Sequence, residues 1–487
     1  MDWIDSHIKT LTTLAGISEE TARKLFLQPV RVELAEDLVS NRTYRLAYTT
    51  AINLIARVFP RVDFETLPAA PDVITPWGVF EPRYFNGEKC SAVLRVGGKG
   101  SGKDQEVSLV VRDWCVLINS TQEADPDEAW NPILAIVGAC YATSAITNKL
   151  LNGAVVGAQS WPPFSILDFL SATADFDFEQ SIDIGEIHVA GIGAVGSAFL
   201  YCLLAHGKCR GTLHLVDKDI IDSMNLGRYP LFDVNDITKK KVVAAKERLA
   251  TVAGLDVIPH PELFQQYCRE QLASDRTFRI RGLVSAPDKR ETRRQFQHEL
   301  PLRVWDASTG PDQVVIHQNH YAPGFACMEC IYPERREEDA HLKHVAEVLG
   351  VPLDRIKSGL GIDVDAARLI AARYPLLRDE DLIGRDYDSI FRDLCSASTL
   401  RAGDEVVLAP MSFISMLAGS FQYLEFLKSL NANRFAHLEH VNYCTFNPHF
   451  PPNPFLRELR KSRPTCSCQS SAYRKSFNKI WNVDLAR

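Results

Sequence analysis

The segment from Gly185 to Asp219 constrains this chain more than any other. GEIHVAGIGAVGSAFLYCLLAHG reads as a strand, a turn Gly191-Ile-Gly193-Ala-Val-Gly196 and a helix, and TLHLVDKD follows as a second strand ending in Asp217. Two parallel strands joined by a crossover helix commit the surrounding chain to an α/β fold. Glycines at these spacings permit a tight turn and let backbone N–H groups approach a phosphate. The helix N-terminus favours an anion, and an acid after the second strand suits a ribose hydroxyl. A nucleotide site is the reading, with a purely structural turn as the alternative, because the glycine pattern gains meaning only from the strands, helix and acid around it.

Composition removes whole classes of function. At roughly 150 residues per domain, 487 residues make about three domains. With 54 basic against 61 acidic side chains the net charge is −7, which offers no general attraction to nucleic acid or to an anionic membrane. Hydrophobic residues at 46% and charged residues at 24% are the mix of a soluble globular protein. The apolar stretch Val406–Phe421, interrupted by Pro410 and serines, reads as a buried helix and not a membrane span. MDWIDSHIKT has two aspartates and no apolar core, so no secretory leader is expected and a cytoplasmic location is. In a reducing compartment the twelve cysteines are expected to be thiols, metal ligands or nucleophiles before disulfides.

Ahead of the glycine loop, residues 1–160 read as an α/β unit. Its parts are an amphipathic helical stretch within Thr21–Phe59, alternating runs SAVLRVGG and EVSLVVRDWCVLINS, and a helix in NPILAIVGACYATSAITNKLL. GGKGSGKD, Gly97–Asp104, nearly spells a phosphate loop, but Asp104 replaces the magnesium-reaching hydroxyl and a strand follows where a helix should begin. It is expected to be a hairpin turn. A Pro-, Ser-, Asp- and Phe-rich break, 159–180, marks the main boundary.

The residues beyond Asp217 decide the chemistry. VDKDIIDSMNLGRY supplies Asp217, Asp219, Asn225 and Arg228, and TKKKVVAAKERLA supplies Lys241. GLVSAPDKRETRRQF is a strand ending at Asp288, with Arg293 five residues on. Attack of a carboxylate on the α-phosphate of ATP concentrates negative charge that Mg²⁺, Lys and Arg neutralise. A nicotinamide site needs neither this Asn-Leu-x-Arg nor the further strand-end Asp. Adenylation therefore fits better than an NAD-dependent oxidoreductase or an inert scaffold, the alternatives from other classes. Lys239 and Lys240 read as a solvated helix face, Asp222 as a turn or cap, Asp219 as either ligand or cap, and His341 with His344 as a wet helix face.

These residues, in this order, resemble the ubiquitin-activating and ThiF/MoeB-type adenylyltransferases. The resemblance implies that Gly191, Gly193 and Gly196 lie beside ATP, that Asp217 holds the ribose, and that Asn225, Arg228 and Lys241 contact the phosphates. Asp288 would bind Mg²⁺, and Asp219 and Arg293 match the accompanying acid and arginine. Three positions depart from the pattern: Tyr229 replaces a Gln, Thr238 a Gly, and Lys289 an Asn. The arginine usual before the glycine loop is missing from DFDFEQSID, leaving Arg42 or Arg45 as candidate fingers.

CMEC, with Cys327 and Cys330, has the spacing of two corners of a tetrahedral Zn²⁺, and Cys466 with Cys468 in CSC can supply the other two. Free thiols or a redox pair are the alternative. Between the pairs, 334–402 reads as small helices that a minimal adenylyltransferase does not need. In ubiquitin-activating enzymes such an insertion carries the acceptor cysteine, which here points to Cys395, with Cys268 and Cys444 as substitutes.

The expected architecture is a ThiF-type Rossmann-like adenylation domain, 181–333 and 403–487, the latter with the zinc-binding tail. A degenerate N-terminal adenylation-like unit, 1–160, and the helical cysteine insertion, 334–402, accompany it. By resemblance to enzymes of bacterial ubiquitin-like (Bil-type) conjugation operons, the chain would use ATP and Mg²⁺ to adenylate a ubiquitin-like protein. It would then form a thioester and transfer to a conjugating enzyme, acting as a homodimer or a pseudodimer within one chain. The runner-up stops at the adenylate and serves a sulfur carrier of thiamine or molybdopterin synthesis. Neither reading involves nucleic acid or a membrane, and the biological setting, antiviral defence included, is left open.

Overall fold

The computed structural model describes residues 8, 12, 17–64, 74–76, 78–79, 90–100, 105–151, 161–170, 176–310, 313–319, 324–334, 336–375, 377–391, 411–430 and 441–483. Two mixed sheets organise them. The first contains β1 (Val30–Leu34), β2 (Val62–Phe64), β3 (Ala92–Val96), β4 (Glu106–Arg112), β5 (Cys115–Ile118) and β6 (Phe164–Ser165), in the order β2-β1-β3-β4-β5-β6. The second contains β7 (Ile182–Ala190), β8 (Cys209–Val216), β9 (Leu255–His260), β10 (Gly282–Ser285), β11 (Arg303–Thr309), β12 (Val314–Asn319), β13 (Tyr443–Phe446) and β14 (Arg457–Glu458). Its order is β9-β8-β7-β10-β11-β12-β13-β14. The first five strands in that order are mutually parallel and the remainder antiparallel, so the parallel part has the 3-2-1-4-5 order of a doubly wound fold.

The first sheet repeats most of that order. Its β2-β1-β3-β4 are parallel and β5 and β6 antiparallel, matching β8-β7-β10-β11 followed by β12 and β13. Each half also has a crossover helix after its first strand, α1 (Arg42–Val58) and α3 (Ala194–His206). Each has a long apolar helix after its antiparallel hairpin, α2 (Pro132–Leu150) and α6 (Ser412–Leu430). Asn41 caps α1, accepting from the N–H groups of Thr43 and Tyr44, and Asn131 caps α2, with Pro132 preset for the first turn. The helix pairs α1–α2 and α3–α6 pack on each other, and α2 against α6, making one continuous apolar core between the two halves. Helix α2 is by length and composition apolar enough to cross a membrane, but 94% of that window is buried in this core.

Two local expectations are corrected. The stretch Thr21–Phe59 is not one helix: Glu19–Phe26 and α1 flank β1, where Pro29 stops helix propagation and buried Val30 and Val32 alternate as a strand requires. The loop after Gly97 is not a hairpin, because β3 and β4 pair in parallel. The hairpin comes later, between β4 and β5, where Asp113 and Trp114 both take positive φ, 50° and 64°, the geometry a two-residue turn requires. Trp114 is held there by Phe176 and Phe178, at 5.7 and 5.8 Å between ring centroids.

After Tyr332 the chain leaves the second sheet for the helices Arg336–Leu349, Leu353–Lys357, Val364–Arg373 and Asp379–Leu382, which pack around their own apolar cluster. It returns through α6, which lies against α3, β11 and β12.

Candidate functional site

The site lies at the carboxyl ends of β7, β8 and β10, where the strand order reverses and doubly wound sheets bind ligands. Gly191 ends β7 with φ 91°, and a Cβ there would stand 2.8 Å from the Ala286 carbonyl. At Gly196 a Cβ would meet the Gly191 oxygen at 2.0 Å, so α3 can start this close to the strand only with glycine. Gly193 is the N-cap of α3 and makes no side-chain cap, leaving the helix N-terminus open toward a ligand.

Asp217 accepts from the Ile192 N–H at 2.7 Å through one oxygen and from the Asp219 N–H at 2.8 Å through the other. It thus ties the glycine turn to the end of β8, and each carboxylate oxygen retains a second lone pair that can accept a further donor. Burial pushes Asp217 above the ordinary carboxylate range, with Lys241 opposing. Lys241, at the first turn of α4 (Lys241–Leu249), donates to Asp219 at 3.0 Å and lies 4.0 Å from Asp217. Burial works against both charges of the Lys241–Asp219 pair. Asp217 and Asp219 nevertheless raise the lysine, while Lys241 and Lys218 hold Asp219 down.

Asp222 caps the short turn Ser223–Asn225, its backbone N–H donating to Asn225 Oδ1 at 3.1 Å. That turn aims Arg228, whose Nε is buried with no hydrogen-bond partner among the described residues, a donor suited to an anion. Tyr229 underlies both cations, its ring 5.4 Å from Lys241 Nζ and 5.9 Å from the Arg228 guanidinium. Thr238 holds φ 73°, a left-handed conformation that glycine adopts freely and a β-branched residue does not.

Arg57, which no sequence motif marks, comes from α1 of the N-terminal half. Fully buried, it donates to the carbonyls of Leu226 and Phe232, the latter at 2.8 Å, and lies 3.4 Å from that of Pro230. Asn53, one turn earlier, accepts from Arg57 Nε at 2.6 Å and donates to the Pro230 carbonyl at 2.9 Å. Neither candidate finger shares this position. Arg42 pairs with Glu179 and covers the Trp130 ring at the opposite end of α1. At 1.5 Å rise per residue, Arg42 and Arg45 start roughly 20 Å along the helix from Arg57.

Asp288 is exposed just beyond β10, and its carboxylate has no ion pair among the described residues. Arg293, on α5 (Arg290–His298), is turned inward, bonded to Asp306, to the Ala307 carbonyl at 2.9 Å and to the Pro287 carbonyl, so it braces the backbone before Asp288. Buried Asp306, also unmarked by any motif, accepts in addition from Ser285 at 2.6 Å and Tyr332 at 2.5 Å. The lysines next to the two strand-end acids both reach the helical insertion: Lys218 pairs with Asp386, and Lys289 with Asp388 at 2.7 Å. Arg290 and Arg294 join Glu338 at 3.0 and 2.8 Å. His341 bonds Asp388 at 2.8 Å, and it and His344 meet Phe391 edge-on. Lys239 pairs with Asp236 and Glu247, and Lys240 bonds the Lys218 carbonyl.

Cys395 lies outside the described residues. The substitutes Cys268 and Cys444 are buried, and burial pushes the thiol of each up, that of Cys444 to about 12, unsuited to supplying thiolate.

The four clustered cysteines converge. Cys327 lies 3.7 Å from Cys330 and 3.5 Å from Cys466, and Cys330 lies 3.9 Å from Cys468, sulfur to sulfur. A zinc ion about 2.3 Å from four sulfurs spaces them about 3.8 Å apart, so the set fits a tetrahedral site. Arg463 N–H donates to Cys330 Sγ at 3.2 Å, and Glu329 reaches Cys466 Sγ at 3.4 Å. His298, 2.8 Å away, holds Glu329 down to about 2.

A doubly wound sheet with a glycine turn at its switch point defines a Rossmann-like nucleotide-binding class. Residues 170–470 match the ThiF family, and the chain belongs to that family. Its class is thereby that of the ThiF-family adenylyltransferases. It is 24% identical over 435 residues to the uncharacterized protein y4jF of Sinorhizobium fredii, across 82% of this chain and 81% of that one. It is 24% identical over 210 residues to the sulfur carrier protein ThiS adenylyltransferase of Escherichia coli, across 40% of this chain and 79% of that one. Among solved structures it resembles E. coli MccB with ATP, at TM-score 0.36 and 12% identity over 74% of this chain and 99% of that one.

Proposed function

We propose that this chain adenylates the C-terminal carboxylate of a ubiquitin-like protein and then accepts the activated acyl group on Cys395 for transfer to a conjugating enzyme. The observation that carries the first step is the buried Arg228 Nε, without a hydrogen-bond partner among the described residues, over the same Tyr229 ring that Lys241 approaches. Bound there, ATP supplies an adenylyl group and a pyrophosphate leaving group. The carboxylate oxygen bonds to the α-phosphorus as the bond to pyrophosphate breaks, and Arg228 and Lys241 face the charge that develops. Asp217 would hold the ribose, and Asn225 would add a phosphate contact. Asp288, exposed and free of ion pairs among the described residues, suits a Mg²⁺ ligand; the metal would neutralise phosphate charge.

The second step is supported by the docking of the insertion. Lys218–Asp386 and Lys289–Asp388 fasten it beside the two strand-end acids, and Cys395 follows Asp388 by seven residues, a reach of at most about 24 Å. Attack of its thiolate on the adenylate carbonyl forms the thioester and releases AMP. The N-terminal half, repeating the strand order without a glycine turn after β1, serves as the inactive member of an intrachain pair. Zinc at Cys327, Cys330, Cys466 and Cys468 fastens the tail to the adenylation domain. The similarity to a ThiS adenylyltransferase favours a second reading, in which the chain stops at the adenylate and a sulfur carrier is the substrate.

ATP–pyrophosphate exchange dependent on the carrier protein tests the first step. Asp288→Ala is expected to abolish it, and Arg228→Ala and Lys241→Ala to lower it by about 10²-fold; full exchange in Asp288→Ala overturns the assignment. A thiol-sensitive adduct on a non-reducing gel, lost in Cys395→Ala while exchange persists, separates the two readings.

A further inference from the structure

Asp306 is a fully buried carboxylate in the middle of β11 and the register partner of Ser285 on β10. Three side chains donate to it. Oδ1 accepts from Ser285 Oγ at 2.6 Å and from Arg293 Nη1, and Oδ2 accepts from the Tyr332 hydroxyl at 2.5 Å. The Tyr332 hydroxyl also meets Ser308 Oγ at 3.2 Å, and its ring lies 5.4 Å from the Arg293 guanidinium. Taking a carboxylate and a guanidinium out of water is costly enough that a well-packed apolar pair is often as stable, so stability alone does not account for this pair.

What the pair reaches does account for it. Arg293 Nη2 donates to the Pro287 carbonyl, the last backbone acceptor before Asp288. Gln422 Nε2, from α6, donates to the Ser285 carbonyl at 2.9 Å, and the Ala286 N–H bonds the Ala190 carbonyl at 3.0 Å. The same stretch is pressed on the glycine turn, where a Cβ at Gly191 would stand 2.9 Å from Pro287 N. Ser285, Ala286 and Pro287 are thus buried and held, and Asp288 is the first residue of the segment to be exposed.

We propose that Asp306 is a positioning residue for adenylation. Through Ser285 and Arg293 it fixes the segment 285–287, and with it the place at which the Asp288 carboxylate meets a divalent ion on the ATP phosphates. This rests on the reading of Asp288 as the metal ligand. Asp306 touches neither nucleotide nor metal; it acts on the backbone that carries the ligand, and such outer partners commonly govern metal affinity by about 10- to 100-fold.

The test is the gain in ATP affinity that Mg²⁺ confers on the full-length protein, from calorimetric titrations with and without the ion. Asp306→Asn keeps the side-chain volume and loses the charge that holds Arg293. It is expected to cut the gain about 10-fold, with ATP affinity in the absence of Mg²⁺ within about twofold of wild type. Hydrogen exchange of the peptide 285–289, measured without metal, should rise in the same variant. Asp288→Ala is the reference and is expected to lose the gain. If the gain is lost there but intact in Asp306→Asn, the positioning role is overturned while the metal reading stands; a gain kept in Asp288→Ala overturns both. Should Asp306→Asn fail to fold, Tyr332→Phe, which removes one donor and keeps the ring, carries the same comparison with the gain cut about threefold.

Discussion

Arg57 Nη2 donates to the carbonyl oxygen of Phe232 at 2.8 Å, across the boundary between the two halves of the chain. Through this bond and its companion to Leu226, a helix with no nucleotide motif of its own holds the backbone on either side of Arg228. Burial pulls Arg57 down to about 9, still charged at neutral pH, so the interface contains a cation whose partners are mostly carbonyl dipoles.

Arg57→Met is therefore expected to destabilise the protein by about 3 kcal/mol, since it strands buried carbonyls. It should also raise the KM for ATP in pyrophosphate exchange. Arg57→Lys should recover only part of both effects, because one ammonium cannot reproduce the guanidinium fork. Chemical denaturation and exchange kinetics check this, and an unchanged KM in Arg57→Met would reduce the residue to a stabilising role.

Thr238 is held at φ 73° by its N–H bond to the Ile221 carbonyl, 2.9 Å. Thr238→Gly relieves that strain at the cost of a more flexible unfolded chain, and a net gain of about 0.5–1 kcal/mol is expected. Thr238→Ala keeps the strain and should give much less; equal melting temperatures for the two variants would contradict this account.

Removal of zinc by a chelator is expected to lower the melting temperature and expose Ser470–Trp481 to protease first. Tyr473 and Trp481 donate to the carbonyls of Gln297, near the end of the helix Arg290–His298, and of Leu300 just beyond it, from a tail carrying Cys466 and Cys468. Cys466→Ser should reproduce the effect without chelator. A chelator-insensitive melting curve in metal-loaded wild type would argue against a structural ion.

His206, buried at the end of α3, bonds the Tyr423 hydroxyl on α6 at 2.7 Å, and burial holds it down to about 4 from 6.5. The unfolded chain binds this proton at a higher pH than the folded one. Stability is therefore full above about pH 6.5 and falls as pH drops toward 4, by on the order of 3 kcal/mol. His206→Gln, which keeps a hydrogen bond but cannot titrate, should flatten that limb in a series of melts between pH 7 and 4.

The βαβ opening, the glycine turn, Asp217 and the two cysteine pairs were legible because each depends on spacing along the chain. A strand must be followed by its turn and helix, and two thiolates on one metal must be close in sequence or recognisable as pairs. The three departures from the family pattern were visible as letters but had no meaning until packing supplied it. Tyr229 underlies two cations, Thr238 occupies a glycine conformation, and Lys289 answers Asp388, ninety-nine residues away.

By itself, the sequence determined the doubly wound class, the order of the nucleotide motifs and the pairing of CMEC with CSC, all of which follow from local periodicity and ligand geometry. Only the tertiary structure decided that the N-terminal half repeats the strand order, and that Arg57, not Arg42, braces the Arg228 turn. These are relations between strands and helices far apart in sequence, set by sheet register and helix packing, and no spacing within one segment encodes them.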